Sequence, residues 1–140
     1  MMDAFKEIPW SEIYSIFKKM VGYGPNDIEK LISSGKVHYK STKIVEKWED
    51  LDDKEIFYLI ADEGGAKGED VFAINEISYL ENLGGFYFKQ NNIEKSMVDY
   101  FNKFNEVFFN GDVYLLFPAS EILAIFQHDG VLFFYGIPFK

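Results

Sequence analysis

One stretch of the chain decides its fold: DVYLLFPASEILAIFQHDGVLFFY, residues 112–135. An apolar run ends there at Pro118, and two further apolar runs flank His128-Asp129-Gly130. Asp-Gly between two apolar runs is the strongest short signal of a β-hairpin, because the tight turn needs positive φ angles. The stretch therefore predicts three strands, with residues 122–127 and 131–135 paired as a hairpin. Both faces of these strands are apolar, so we expect them to be central in a sheet or covered on both sides.

Further strands are predicted upstream, where the apolar period changes to two at about Lys36. Val37, Tyr39 and Ile44 alternate with polar residues, which is typical of a half-buried strand. EIFYLIA at residues 55–61 is an apolar run rich in β-forming side chains, and it also predicts a strand.

The next segment is interrupted by glycines. Residues 62–70 contain three glycines and no large apolar side chain, which predicts a mobile surface loop. Residues 71–77 are then expected to be the return strand of a hairpin. Residues 78–83 fit a helical face as well as a strand, and both alternatives stay open. After Gly84-Gly85, the aromatic residues 86–88 predict a short strand.

Amphipathic periodicity predicts three helices. The first covers residues 9–21 and ends before Gly22, and the second begins at Pro25 and ends before Gly35. The third covers residues 93–109, with Asn92 as a cap and Gly111 as its end signal. Its apolar stripe consists of Ile93, Met97, Tyr100, Phe101, Phe104, Val107 and Phe108. We expect this stripe to pack in the core.

These elements together predict an α+β fold. A mainly antiparallel sheet is built from residues 36–77 and 112–135, with helices packed on it. Two short helices come first, and one long amphipathic helix precedes the C-terminal hairpin. A length of 140 residues suits one globular domain, which we assign to residues 1–140.

Composition restricts the classes of function. The chain has no Cys, which excludes disulfides, thiolate metal sites and a cysteine nucleophile. All 14 cationic residues are Lys and the net charge is −9, whereas nucleic-acid binding needs a positive surface, so we expect no direct contact with nucleic acid. Neither a secretory signal nor a membrane-length apolar run is visible, which indicates a cytoplasmic protein without membrane contact. Abundant Lys, Ile, Phe and Asn with no Arg favours an origin in a bacterium or its phage.

Negative charge is concentrated in one stretch. Residues 46–70 hold ten carboxylates and three lysines, so 25 residues carry −7 of the total charge of −9. Such a surface attracts basic partners. We therefore expect the partner-binding residues to be Glu49, Asp50, Asp52, Asp53, Glu63, Glu69 and Asp70. A solvated loop that only keeps the protein soluble is the alternative.

Two binding motifs were tested in this stretch and neither fits. An EF-hand loop counted from Asp50 would need glycine where Glu55 stands and a bidentate glutamate where Ala61 stands. The run GGAKG at residues 64–68 lacks the spacing of a phosphate-binding loop, and nearby carboxylates would repel phosphate. We therefore expect neither a metal nor a cofactor.

No catalytic pattern is visible either. The two histidines, His38 and His128, have no serine motif to pair with, and His128 falls in the predicted hairpin turn. Asp112 and Glu121 flank a strand and could act as general acid and base, but an acidic protein offers such pairs by chance. We expect the protein not to be an enzyme.

The predicted layout is a small acidic α+β domain with two short N-terminal helices, a later amphipathic helix, and DVYLLFP before the hairpin. This layout resembles bacterial immunity proteins of polymorphic-toxin and contact-dependent growth inhibition systems. The resemblance implies a cognate protein toxin as partner, bound stoichiometrically and without a cofactor. For a nuclease toxin it implies that the acidic surface occupies a basic cleft in place of substrate phosphates.

An alternative from another class is a small-molecule binding domain or small enzyme. Its pocket would lie between the long helix and the C-terminal hairpin, where polar groups converge inside an aromatic wall. The residues expected to supply those groups are Tyr100, Tyr114, Tyr135 and His128.

Overall fold

An antiparallel β-sheet forms the centre of the protein. The computed structural model describes residues 5–66 and 70–139, and within them seven strands form one sheet. The strands in chain order are β1 (Phe5–Ile8), β2 (Ser41–Ile44), β3 (Asp70–Ile74), β4 (Gly85–Lys89), β5 (Val113–Phe117), β6 (Ile122–Phe126) and β7 (Val131–Gly136). Across the sheet their order is β1-β4-β3-β5-β6-β7-β2, and every neighbouring pair is antiparallel.

Helices cover both faces of this sheet. The described residues contain five α-helices: α1 (Trp10–Val21), α2 (Pro25–Ser33), α3 (Asp53–Gly64), α4 (Glu76–Leu80) and α5 (Ile93–Phe104). On one face α1 and α2 pack against the sheet, and on the other face α3 and α5 do so. The predicted α+β fold with an antiparallel sheet is confirmed.

The alternation of β5 and β6 explains why these strands are apolar on both faces. Leu116 and Leu123 belong to the cluster under α1 and α2, whereas Leu115 and Ala124 belong to the cluster under α3 and α5. Side chains that alternate along a strand point to opposite faces, so a strand covered on both sides needs apolar residues at every position. The predicted central position of these strands is confirmed.

The predicted hairpin forms between β6 and β7. Phe126 pairs with Leu132, and the turn places Gly130 at a φ of 88°. The N–H of Gln127 donates to the carbonyl of Val131 at 2.8 Å, and the N–H of Gly130 donates to the carbonyl of Gln127 at 2.9 Å. The Asp-Gly signal is therefore confirmed, and so are the first two helices, with Gly22 in the left-handed conformation after α1.

The prediction of a strand over residues 55–61 is wrong, because these residues lie in α3. Asp52 caps the helix: its Oδ1 accepts the N–H of Glu55 at 2.9 Å, and the Oε1 of Glu55 accepts the N–H of Asp52 at 3.2 Å. This reciprocal pair satisfies two donors of the first turn. Residues 62–64 consequently belong to the helix and not to a loop, while residues 67–69 of the predicted loop lie outside the described residues.

Three further boundaries differ from the prediction. β3 lies between β4 and β5, so it is not the return strand of a hairpin with residues 55–61. The open segment 78–83 begins in α4. α5 ends at Phe104 because Asn105 takes a left-handed conformation with a φ of 56°, and Phe108 and Phe109 are buried from a loop instead.

Candidate functional site

The acidic residues lie at the two ends of α3. Glu49 and Asp50 are exposed in the 3-10 helix Trp48–Asp50 just before α3, and Asp52 is the N-cap. Asp62 and Glu63 are exposed in the last turn. A helix rises about 1.5 Å per residue, so the two groups are separated by about 15 Å along the axis. The structure therefore does not gather the predicted residues into one patch.

Asp53 has a structural role instead of the predicted partner-binding role. Its side chain is only 8% exposed, and its carboxylate accepts the backbone N–H groups of Phe108 at 2.7 Å and Phe109 at 3.1 Å. Burial raises the pKa of Asp53, and the two backbone hydrogen bonds offset part of that rise. Asp53 is thus occupied inside the protein and is not available to a partner.

Two other predicted residues are engaged by neighbours on the surface. Glu63 forms an ion pair with Lys43 at 3.0 Å. Asp70, at the start of β3, accepts the hydroxyl of Tyr87 at 2.6 Å, and this hydrogen bond raises the pKa of Tyr87 to about 12. Glu69 lies outside the described residues.

Beside the N-terminal end of α3 lies an apolar groove, which we call the α3/α5 groove. It encloses about 370 Å³. Its lining residues are Asp52, Asp53, Lys54, Glu94, Met97, Val98, Phe101, Asn102 and Val107. Val98 is 58% exposed, Phe101 47% and Val107 48%, although each is a large apolar side chain. Contiguous exposed apolar side chains are a common feature of interaction surfaces.

The amphipathic pattern of α5 explains the exposure of Val98 and Phe101, whereas Val107 lies in the loop after the helix. Met97 and Tyr100 face the sheet and are buried, whereas Val98 and Phe101, three residues apart, share the outer side of the helix. The predicted core stripe includes Phe101 and Val107, which are exposed, and it does not include Val98. Apolar residues of this segment occupy more positions around the helix than a single face can bury, and this feature of the sequence predicts that some of them are exposed.

Carboxylates border the groove. Asp52 lines it from the N-cap of α3, with Lys54 Nζ at 3.9 Å from its Oδ2. Glu94 lines it from α5 and accepts the hydroxyl of Tyr58 at 3.4 Å. An apolar centre with a charged border is the usual anatomy of a protein–protein interface. The groove can therefore bind an apolar side chain together with a neighbouring cation.

Neither histidine lines the α3/α5 groove. Among the described residues, no group of three or more His, Asp or Glu side chains is arranged to hold a metal ion. His128 Nδ1 lies 3.1 Å from Asp112 Oδ1 in the exposed hairpin turn, and this contact raises the pKa of His128. His38 is exposed before β2.

The aromatic pocket proposed as the alternative does not form. Tyr100 belongs to the cluster under α3 and α5, whereas Tyr114 and Tyr135 pack in the cluster under α1 and α2. The sheet separates these two groups, and His128 is exposed at a turn. The four side chains cannot converge on one ligand, so this prediction of a pocket is wrong.

Comparison of the chain with protein-family models, with curated proteins and with solved structures gives no match. Over residues 5–66 and 70–139, none of the helices has the length and apolar character needed to cross a bilayer.

Proposed function

We propose that this protein binds a second protein through the α3/α5 groove and neutralises it, in the manner of bacterial immunity proteins that protect a cell from a toxin. The observation that carries the proposal is the exposed apolar strip of Val98, Phe101 and Val107 beside the carboxylates of Asp52 and Glu94. The net charge of −9 supports a cationic partner.

The groove and the charges contribute to binding in different ways. An apolar side chain of the partner that enters the groove is removed from water, and this burial slows dissociation. Asp52 lines the groove at the start of α3, and the exposed carboxylates of Glu49 and Asp50 lie in the 3-10 helix just before α3. These charges attract a basic surface during approach. A nuclease toxin presents such a surface where it binds substrate phosphates. The protein acts stoichiometrically and needs no cofactor.

The test uses a toxin encoded next to this chain, produced with and without the protein. Phe101→Asp places a charge in the apolar strip and is expected to weaken binding by about 30-fold or more, since central anchors contribute about 2 kcal/mol or more. The matched control is Ile44→Asp, because Ile44 is 70% exposed but lies on β2 at the edge of the sheet opposite β1. We expect Ile44→Asp to bind and protect like the unaltered protein.

Calorimetric titration measures the affinity, growth of toxin-producing cells measures protection, and thermal unfolding confirms that both variants remain folded. Unchanged affinity and protection by Phe101→Asp would show that the groove is not the interface. A neighbouring gene for a large secreted protein would support immunity, whereas a metabolic operon would support an enzyme.

A further inference from the structure

A second cleft lies where α1, α2 and α4 meet, and none of these helices lines the α3/α5 groove. We call it the aromatic cleft. It encloses about 460 Å³, a volume in the range of small-molecule sites. The lining residues are Trp10, Ser11, Tyr14, Pro25, Asn26, Tyr79 and Asn82. None of them is charged, and three of them present aromatic rings.

The three rings are held from different elements. Trp10 and Tyr14 are one helical turn apart on α1 and therefore share a face. Tyr79 comes from α4, and its ring centroid lies 5.1 Å from that of Trp10 with the planes tilted by 39°. Tyr14 packs directly on Gly24, where a Cβ atom would lie 2.2 Å from its Cε2. The glycine is therefore required for this arrangement of rings.

The rings remain open to solvent. Tyr14 is 41% exposed and Tyr79 is 56% exposed, although stacked aromatic side chains gain by burial. Among the described residues the cation found over a ring is Lys103, which lies 5.6 Å from the centroid of Phe104 on α5. No lysine of the described chain therefore occupies the aromatic cleft.

Electrostatics favours a cationic guest. The face of an aromatic ring carries negative potential, and tryptophan attracts cations most strongly. The pKa of Tyr79 is raised by the partial burial of its side chain and, to a smaller extent, by the negative charge of Glu29 on α2. The positive end of the α2 dipole also faces this region, but it amounts to about half a charge and Asp27 in the first turn offsets it.

We propose that the aromatic cleft binds an alkylammonium group through the rings of Trp10, Tyr14 and Tyr79. Such a group is carried by a free quaternary ammonium compound or by a lysine side chain of a peptide. This inference does not depend on the α3/α5 groove or on the identity of its partner.

The test follows the two tryptophan indole N–H signals by NMR in the unaltered protein. Choline and a short lysine peptide are titrated separately, and 3,3-dimethylbutanol serves as the neutral isostere of choline. We expect a saturable shift of the Trp10 signal, while Trp48, which packs on Phe126 away from the cleft, stays unchanged. The neutral isostere should bind about tenfold more weakly, because it lacks the cation–π attraction. The tighter of the two cations identifies the natural source.

One variant and one control complete the test. Tyr79→Leu removes a ring of the cleft and should weaken binding about tenfold. Tyr39→Leu is the control, since Tyr39 is an exposed tyrosine that contacts Phe133 on β7. Absence of saturable binding by either cation, or equal binding of the neutral isostere, would overturn the proposal. The proposal would also be overturned if Tyr79→Leu bound the cations as tightly as the unaltered protein.

Discussion

At the scale of single residues, buried polar groups position the α3/α5 groove. Asp53 accepts the N–H groups of Phe108 and Phe109, while Asn75 Nδ2 donates to the carbonyl of Phe108 at 3.1 Å and to the Tyr100 hydroxyl at 2.9 Å. The loop after α5 is thus fixed from both α3 and α4. Val107 directly precedes these anchored residues, so the same hydrogen bonds set the position of one wall of the groove.

Replacement of Asp53 should therefore cost stability. Asp53→Ala leaves two buried N–H groups without an acceptor, and each unsatisfied donor costs about 1–3 kcal/mol, so we expect a loss of about 3 kcal/mol in the free energy of unfolding. Asp53→Asn retains one acceptor oxygen and should lose less. Denaturant unfolding at neutral pH measures both values. If Asp53→Ala lowered the free energy of unfolding by less than about 0.5 kcal/mol, as an ordinary surface substitution does, the structural role of Asp53 would be contradicted.

The pH dependence of the same variants tests the balance of burial against hydrogen bonding at Asp53. Because burial raises its pKa, the folded state holds the proton more tightly than the unfolded chain. Relative to Asp53→Asn, which does not titrate, the unaltered protein should therefore lose stability as pH rises from below the unfolded pKa through the folded pKa of Asp53. Unfolding measured from acid to neutral pH gives this difference. A relative stability of the unaltered protein that instead grows with pH would show that the hydrogen bonds outweigh burial.

At the scale of elements, the sequence predicts the helices and strands whose ends are marked by neighbouring turn or capping residues. The Asp-Gly turn, Pro25 and Gly22 determine β6, β7, α1 and α2 through their own backbone preferences. EIFYLIA is apolar enough for a strand, and only the capping pattern of Asp52 and Glu55 identifies the helix. β1 has four residues and is defined by pairing with the distant β4, which no local pattern reveals. Exposure of Val98 likewise depends on which elements cover α5.

The capping pattern of α3 can be tested directly. Asp52→Ala removes the acceptor for the Glu55 N–H and should reduce stability by about 1 kcal/mol, the usual cost of losing such a cap. Asp50→Ala is the matched control, because Asp50 is an exposed aspartate two residues earlier and does not belong to the capping pair of Asp52 and Glu55. We expect the control to change stability by less than about 0.5 kcal/mol. Equal losses in thermal unfolding would show that charge, not capping, stabilises this end of α3.

At the scale of the whole molecule, the question is how the negative charge meets a partner. The chain carries −9, and residues 46–70 hold −7 of it, but most of the exposed carboxylates that the structure describes in this stretch lie at the two ends of α3. Only the N-terminal group lies beside the apolar groove, through Asp52. If net charge alone attracted the partner, the position of a carboxylate on α3 would not affect the rate of association. If the partner docks at the groove, carboxylates close to the groove affect that rate more than distant ones.

Charge reversal at each end of α3 separates these two cases. Asp50→Lys and Asp62→Lys change the net charge by the same amount, and both aspartates are exposed. If the partner docks at the groove, Asp50→Lys should slow association about tenfold at low salt and flatten its salt dependence, because close charges steer the approach. Asp62→Lys should change the rate much less. Stopped-flow association over a range of salt concentrations gives both rates, and equal slowing by the two variants would mean that neither end of α3 faces the partner specifically.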